Sequence, residues 1–487
     1  MSAVILATEL AFRILEVSVA ADVRKCERMS YQVLSIVVLI VAFVIATVLP
    51  INLGALSLVA AFVIGSFVLE GAPDEIADAI FAEFPGDLFV ILVGVTFLFA
   101  IARANGTVDW LVHQAMRGVG GRIALIPWIM FVVTGVLTAF GAVVPAAVAI
   151  IAPIGMGFAV RHRINPVLMG LSIINGASAG GFSPLSIFGV ITNGVVAQND
   201  LPGSPLILFL GSLIFNILLN VVMFFLFGGR ELIGRTADDE PEPEPGTKEI
   251  ATGGPGAAKP HRPHPAAATT TGATGAAFTS GDGDEPVTTL DLNRSLTLVA
   301  LIGLAVGALA FQLDVGLLAV TAGVLLSLIS PHTYKGAVAQ VAWPTVLLIC
   351  GIVTYVNLMQ EIGTVDFLGE SVAAIGIPLL AALVVCYIGA AVSAFASTTG
   401  ILGALIPLAV PFLLAGEVGA VGLITALAIS SSVVDSSPFS TSGALVTANA
   451  PEGHRDYVYR RLMRWGFSMV LVAPPITWLL LVVPGWL

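Results

Sequence analysis

Charged residues are scarce in this sequence. Of its 487 residues only 10% are Asp, Glu, Lys or Arg, and 57% are hydrophobic. An ordinary soluble domain carries about 25% charged residues, because polar side chains must cover its core. The scarcity therefore excludes a soluble enzyme and a nucleic-acid-binding protein. The sequence contains instead a series of apolar runs of about 17–25 residues, the length that crosses a bilayer, and these indicate a polytopic integral membrane protein.

Cysteines and the motifs of common enzymes are also scarce or missing. The three cysteines (Cys26, Cys350 and Cys386) lie far apart, so neither a disulfide framework nor a Cys/His metal site is expected. No HExxH, GxSxG or P-loop motif occurs, which argues against an intramembrane enzyme and against ATP-driven pumping by this chain alone. The sequence thus predicts a protein that is not an enzyme and has no cofactor beyond a coupling ion.

Positive charge is in short supply as well. The sequence has four lysines and sixteen arginines but 31 acidic residues, which gives a net charge of −11. Two interpretations of this excess stay open: an acidic surface adapted to salt, or an acidic funnel that attracts cations.

One polar stretch divides the apolar runs into two sets. Residues 231–293 are rich in Pro, Gly, Ala and Thr and include an acidic PEPEP run, a composition that cannot bury enough apolar surface to fold. We expect a disordered acidic linker there, between a first transmembrane repeat (31–230) and a second (294–487). Residues 1–30 carry charges within their apolar run, so no spanning helix is expected there, and translation is expected to start at Met29.

The two sets of apolar runs share short motifs. Residues 106–111 (GTVDWL) recur as 363–368 (GTVDFL), and 138–140 (TAF) recur as 393–395 (SAF). Residues 183–186 (SPLS) recur as 437–440 (SPFS), and in both cases a glycine follows three residues later. The offsets of 257, 255 and 254 residues are nearly constant. They predict an internal duplication, as in many secondary transporters.

The number of crossings decides how the two repeats are oriented. If the runs 123–138 and 141–160 form a hairpin that enters and leaves on one side, each repeat has five full crossings, and the second repeat is inverted. Sixteen of the twenty Lys and Arg residues then fall on one side, which the positive-inside rule makes cytoplasmic. The expected fold is an all-α polytopic membrane protein in the plasma membrane, with the linker in the cytoplasm. Each of its two inverted repeats has five transmembrane helices, with a re-entrant hairpin and a discontinuous helix.

Two segments are too rich in helix-breaking residues for an ordinary spanning helix. Residues 175–184 read NGASAGGFSP, and the equivalent residues 430–438 read SSSVVDSSP. Gly and Pro interrupt helices, and backbone groups freed at mid-membrane must be satisfied by a cavity, by neighbours or by ions. We expect Pro184 and Pro438 in the first turn of each new half-helix, with Ser183 and Ser437 as its N-caps.

The hairpin tips are the second irregular feature. The second tip (393–400, SAFASTTG) is dense in hydroxyls, whereas the first (138–142, TAFGA) has few polar groups. Tips and broken helices that meet near the midplane would direct four half-helix N-termini inward, and such ends bind carboxylates without Lys or Arg. Carbonyl and hydroxyl oxygens of the unwound segments suit Na⁺. This combination is typical of secondary transporters.

Residues 176–189, 393–407 and 430–449 resemble those of malonate/dicarboxylate-carrier permeases. These permeases belong with the divalent anion:sodium symporters in the ion transporter superfamily. The resemblance implies a homodimer in which a mobile transport part moves as an elevator against a scaffold. It also implies Na⁺ sites at each hairpin tip and broken helix, with a carboxylate substrate between them. The family's Ser-Asn-Thr signature lacks its Asn at both tips here, so both Na⁺ and H⁺ stay open as the coupling ion.

The same resemblance assigns roles to residues of this sequence. The first cation site would use Thr138, Ala139, Gly141, Ser178 and Gly180. The second would use Ser393, Ala396, Ser397, Ser432 and Asp435. The substrate would contact Asn175, Ser183, Ser397, Thr398, Thr399, Ser437 and Ser440.

Asp435 is the one carboxylate expected deep in the membrane. An ionisable group there is a candidate cation ligand or proton carrier, although it could also cap the N–H groups of Ser436 and Ser437. The sequence therefore predicts a secondary active transporter that imports a small organic dianion, such as malonate or a four-carbon dicarboxylate, coupled to Na⁺ or H⁺. A cation/proton antiporter of the same superfamily is the alternative. A passive channel is disfavoured by the Gly-broken inverted repeats.

Overall fold

The computed structural model describes residues 31–236 and 290–485, apart from residues 47, 50, 70, 118–119, 200, 365–366, 368–376, 395–397 and 415–417. The N-terminal segment expected at 1–30 and nearly all of the expected linker lie outside the described residues. So do Ala396 and Ser397 of the predicted sites. The linker, its cytoplasmic side and the start at Met29 stay predictions.

The described residues of the first half form ten α-helices: α1 (Tyr31–Ala46), α2 (Leu53–Val68), α3 (Pro73–Ala82), α4 (Gly86–Ala104), α5 (Thr107–Arg117), α6 (Ile126–Ala139), α7 (Val144–Arg161), α8 (Pro166–Gly180), α9 (Ile187–Gln198) and α10 (Pro205–Leu226). Those of the second half are α11 (Leu292–Ala310), α12 (Val315–Ile329), α13 (Trp343–Glu361), α14 (Pro378–Ser393), α15 (Thr398–Leu414), α16 (Ala420–Val433), α17 (Thr441–Ala448) and α18 (Arg455–Thr477). A π-helical segment, Trp478–Val482, continues α18.

The composition and length of these helices fit a membrane protein. Six helical segments of the described ranges are long and apolar enough to cross a bilayer: Gly86–Ala104, Val144–Arg161, Pro205–Leu226, Trp343–Glu361, Ala420–Ala448 and Arg455–Val482. Many large apolar side chains of the peripheral helices are exposed, for example Phe62 on α2 and Leu328 on α12. The prediction of an all-α polytopic membrane protein is confirmed. The inverted orientation of the repeats stays a prediction.

Two helix crossings at glycines join the two halves. Helix α2 packs against α13 and α4 packs against α12. Gly54 and Gly316 are each the second residue of their helix, and Gly351 and Gly94 are each the ninth. A Cβ at Gly54 would lie 2.6 Å from the Leu347 carbonyl carbon, and one at Gly94 would lie 2.7 Å from the Gly316 oxygen. Small residues let backbones approach closely where lipid supplies no hydrophobic drive.

The starts of α2 and α12 are built alike. The Asn52 Oδ1 accepts hydrogen bonds from the N–H groups of Gly54 and Ala55, at 2.9 and 3.3 Å. The Asp314 Oδ1 accepts one from the Leu317 N–H at 2.7 Å. Such caps pair N–H groups that have no partner within the helix. The similarity between the two halves therefore extends to the starts of α2 and α12.

The first half-helix of each broken helix lies in the interior. The turn expected at Phe140–Gly141 is present and joins α6 to α7. Every residue of α8 from Val167 to Gly180 is buried, as is every residue of α16 from Gly422 to Val433. The return arm of each hairpin packs against the second half-helix of the other repeat, α7 on α17 and α15 on α9. These contacts interlock the two repeats around the breaks.

Candidate functional site

Both broken helices are interrupted in the same way. Helix α8 ends at Gly180 and α9 begins at Ile187, while α16 ends at Val433 and α17 begins at Thr441 after a 3₁₀ turn, Val434–Ser436. The connecting segments have matching hydrogen bonds. The Ser183 Oγ accepts from the Leu185 N–H at 3.3 Å, and the Ser437 Oγ accepts from the Phe439 N–H at the same distance.

The glycine that follows each Ser-Pro motif has a steric role. A Cβ at Gly189 would lie 2.8 Å from the carbonyl carbon of Ser183, and a Cβ at Gly443 would lie 2.6 Å from that of Ser437. Real Cβ atoms essentially never come this close. Each connecting segment therefore folds back over the first turn of its half-helix, and only glycine leaves room for it.

The predicted N-caps are wrong. The capping position of α9 is taken by Ser186 and that of α17 by Ser440, not by Ser183 and Ser437. The Ser440 Oγ accepts from the Gly443 N–H at 3.2 Å. Ser183 and Ser437 close a turn with the residue two positions later instead, as serine often does. The half-helices therefore begin after this turn, and Pro184 and Pro438 lie in the connecting segments rather than in a first helical turn.

Asp435 lies at the second break and is only 4% exposed. It is the one buried carboxylate among the described residues. Its Oδ2 accepts a hydrogen bond from the Ser442 Oγ at 2.7 Å. The capping interpretation requires the Ser437 N–H to donate to the Asp435 carboxylate. This N–H donates instead to the Val434 carbonyl at 2.9 Å. Ser440 ties the segment together by donating its hydroxyl to the Asp435 and Ser437 carbonyls.

The first predicted cation set is brought together in part. A Cβ at Gly180 would lie 2.8 Å from the Gly135 carbonyl carbon and would also contact the Thr138 Oγ1, so the hairpin tip packs on the end of α8. Gly141 has a φ of 102° and approaches the Leu185 oxygen. Ala139 is the last residue of α6. The Ser178 carbonyl faces α10, where it accepts from the Ser212 Oγ at 3.3 Å.

Ser393 of the second predicted cation set contacts Thr398 of the predicted substrate set. The Ser393 Oγ, at the end of α14, and the Thr398 Oγ1, at the start of α15, are hydrogen-bonded at 2.9 Å. Thr398 and Thr399 are both buried. The Ser432 Oγ donates to the Ile429 carbonyl of its own helix at 3.1 Å, which leaves the oxygen lone pairs of this hydroxyl for a ligand.

Asn175 is oriented differently from the other predicted substrate contacts. Its Nδ2 donates to the Met223 Sδ of α10 at 3.7 Å. The predicted substrate residues of the connecting segments (Ser183, Ser437 and Ser440) bond within those segments.

Sequence reasoning did not single out two features of this region. One is Ser442, the hydroxyl partner of Asp435, which has no signal of its own in a run of serines. The other is the polar face of α10, formed by Ser212, Asn216 and Asn220, whose four-residue spacing was visible in the sequence.

The electrostatics of the site come from helix ends rather than from basic side chains. No Lys or Arg is buried anywhere in the described ranges. The N-termini of α9 and α17 follow the two connecting segments, and helix N-termini carry partial positive charge and free N–H groups. The arrangement can hold an anion at helix ends, with Asp435 available for a cation or a proton.

An acidic cavity lies where the C-terminal ends of α3 and α13 meet the N-terminal end of α4. It has a volume of about 450 Å³ and is lined by Glu83, Asp87 and Glu361, among others. Burial raises the pKa of Glu83 above its usual value, and the nearby charge of Glu361 raises it further. This cavity fits the predicted acidic surface without deciding between the two interpretations of it.

Comparison with known families identifies the chain. Residues 29–181 match the family described as dicarboxylate carrier protein MatC N-terminus, and residues 287–484 match the citrate transporter family. The chain is a dicarboxylate-carrier-like permease of the ion transporter superfamily. The first match covers the hairpin and α8, and the second covers the whole second half of the permease. No curated protein matches this permease.

The two matches confirm the resemblance to dicarboxylate-carrier permeases that the sequences of the broken helices and hairpin tips indicated. One family is a dicarboxylate carrier and the other a citrate transporter. Together with the apolar helices, the two matches support a multi-pass membrane transporter of dicarboxylate or citrate type.

Proposed function

We propose that this permease is a secondary active transporter that imports a small organic dianion, such as malonate or a four-carbon dicarboxylate, coupled to Na⁺ or H⁺. The observation that carries the proposal is the pair of buried helix breaks with matching hydrogen bonds, of which only the second contains a carboxylate. Transporters bind substrate and coupling ion at such discontinuous helices.

The substrate would lie between the two breaks. Its carboxylates would accept from the N–H groups at the starts of α9 and α17 and from nearby hydroxyls, with Ser183, Ser437 and Ser440 on the broken helices and Thr398 and Thr399 at the second hairpin tip. Asn175 would join them after release from Met223. Ser397 of the same tip, outside the described residues, belongs to this proposal.

The charge of the substrate requires a co-bound cation. Because no Lys or Arg is buried in the described ranges, a dianion would otherwise bring two negative charges into a low-dielectric interior, which is costly. We assign the cation to two sets: Thr138, Ala139, Gly141, Ser178 and Gly180 in the first repeat; Ser393, Ala396, Ser397, Ser432 and Asp435 in the second.

Alternating access would move one part of the fold against another. The hairpins and broken helices (α6–α9 and α14–α17) would form the moving part, and α2, α4, α12 and α13 would form the scaffold of a homodimer in the plasma membrane. The glycine crossings at Gly54 and Gly94 support a rigid scaffold, since close backbone packing resists sliding.

A cation/proton antiporter is the second candidate, and Asp435 favours it. A buried carboxylate that accepts a hydrogen bond from the Ser442 hydroxyl can exchange a proton for a cation. In that case the breaks would hold no organic anion.

Uptake into proteoliposomes separates the two candidates. Vesicles with the purified chain receive radiolabelled malonate or succinate under an inward Na⁺ gradient, an inward proton gradient or neither. The proposal predicts concentrative uptake under one of the two gradients. Absence of uptake together with Na⁺-driven proton movement would instead identify an antiporter.

A further inference from the structure

Polar residues line both sides of the interface between α8 and α10. They recur every third residue on α8 and every fourth residue on α10: Ser172, Asn175 and Ser178; Ser212, Asn216 and Asn220. All six are at most 1% exposed. Residues three and four apart share a helix face, so each set forms one polar stripe.

Two contacts show that the stripes face each other. The Ser212 Oγ donates to the Ser178 carbonyl at 3.3 Å, and the Asn175 Nδ2 donates to the Met223 Sδ at 3.7 Å. Asn216 and Asn220 lie between Ser212 and Met223 on the same face of α10, which places both amides in this interface. The Asn216 Nδ2 donates to the Ser212 carbonyl at 2.9 Å.

Several polar atoms of the stripes are buried without a hydrogen-bond partner. These are the hydroxyl oxygens of Ser172 and Ser178, the Oδ1 of Asn216, and both the Nδ2 and Oδ1 of Asn220. A buried amide with neither atom paired is costly, and native proteins pair such groups with protein or with bound water. The unpaired set contains donors as well as acceptors. A water molecule satisfies both kinds, whereas a cation would satisfy only the oxygens.

The second repeat builds the same interface without these polar groups. At the equivalent positions a hydrogen bond of 2.7 Å between Ser430 and Thr477 replaces the contact of Asn175 with Met223. With the offset of 255 residues found before the break and of 254 residues found after it, the positions equivalent to Ser172, Ser178, Asn216 and Asn220 hold Leu427, Val433, Val470 and Pro474. Since the fold packs this crossing with apolar residues once, the polar stripes are not required for packing.

A large cavity lies at the start of α8 and at the end of α10. The cavity has a volume of about 1000 Å³ and is lined by Asn165 and Pro166 at the start of α8 and by Leu226 at the end of α10. Arg163, Arg235 and Arg461 also line it. The polar stripes thus run from the first helix break toward this cavity.

We propose that the α8–α10 interface holds a file of bound water molecules that connects the first broken helix with this cavity. Such a file gives the coupling ion a polar route between the predicted cation site at Ser178 and the aqueous phase; this role, unlike the water itself, rests on the proposed function.

Radiolytic footprinting of the full-length protein in lipid nanodiscs tests for the water directly. X-rays generate hydroxyl radicals from water at its place in the structure, and the Met223 thioether beside Asn175 reports them. Met130 and Met359 are equally buried, at 0% exposure, and serve as internal controls. We expect Met223 to be oxidised several-fold faster than either control. Equal protection of all three would overturn the proposal.

Substitutions that make this interface apolar extend the test. The double variant Asn216→Val/Asn220→Leu should lower Met223 oxidation to the rate of Met130 while keeping or raising the melting temperature. Asn220→Ser retains a polar group and should keep fast oxidation. Loss of stability in the double variant with unchanged Met223 oxidation would mean that the amides are structural, against the proposal. Gradient-driven uptake should slow several-fold in the double variant, a readout independent of the footprinting.

Discussion

The packing of the first hairpin against the first broken helix makes Gly180→Ala a sharp test of the site. The new methyl carbon would lie 2.8 Å from the Gly135 carbonyl carbon and would overlap the carbonyl oxygen and the Thr138 Oγ1. Both obstacles belong to α6, and the nearer one is backbone, which cannot rotate away. Relief requires α6 and α8 to separate.

The size of the effect follows from this distance. Carbon atoms pack at about 3.5–4.0 Å, so the helices must move apart by about 1 Å. Overpacking a well-packed interior costs about 3 kcal/mol at the upper end of the usual range, which for a chain of this length corresponds to a melting temperature lowered by about 3 °C. The separation also opens the predicted cation site, so we expect gradient-driven uptake to fall more steeply than stability does.

Gly157→Ala is the matched control for this prediction. Gly157 lies on α7 of the same hairpin, and a Cβ there meets nothing within 4 Å. Because alanine favours helix by about 1 kcal/mol over glycine, this variant should melt at or above the wild-type temperature. Both variants are compared by thermal unfolding in detergent and by uptake in proteoliposomes. A Gly180→Ala protein with wild-type melting and uptake would refute the close crossing.

Three further predictions follow from other parts of the chain. Asp435→Asn should abolish or alter ion coupling while the protein still folds, as measured by uptake under Na⁺ and proton gradients; full coupled uptake would refute the role of the carboxylate. Asp314→Ala removes an N-cap and should cost about 1 kcal/mol in thermal unfolding, whereas Asn52→Ala also removes the hydrogen bond from its Nδ2 to the Pro344 carbonyl and should cost more; equal losses would contradict the role of that bond between helices. Glu83→Gln should raise the melting temperature at neutral pH, because the raised pKa of Glu83 next to Glu361 makes its ionised form unfavourable in the folded state. That gain should disappear as the pH falls below 4.5, the ordinary pKa of the group, and a gain that persists there would contradict the electrostatic explanation.

The fold class and the family were accessible from the sequence because they depend on long patterns. Apolar runs of spanning length and the repeated Ser-Pro-x-Ser motif each extend over many residues, and the structure gives the repeated motif the same hydrogen bonds twice. The glycines at 189 and 443 were also visible as part of the repeat, and their steric role became clear only from the carbonyls they pass.

Details within one turn of chain were less predictable. A serine before a proline suits both a helix cap and a serine turn, and the prediction chose the cap, whereas Ser183 and Ser437 make the turn. The direction of Asn175 depends on where Met223 lies, which no local pattern encodes. The assignments of substrate and cation residues stay predictions, because they depend on ligands rather than on packing.

Counterflow shows whether this permease is a carrier for dicarboxylates, since it requires a carrier and no coupling gradient. Proteoliposomes loaded with unlabelled succinate or malonate are diluted into a trace of the same labelled dicarboxylate. We expect label to accumulate transiently above its equilibrium level, and only in vesicles that contain the protein and internal dicarboxylate. Vesicles that take up no label, or that equilibrate without an overshoot as a channel does, would contradict it.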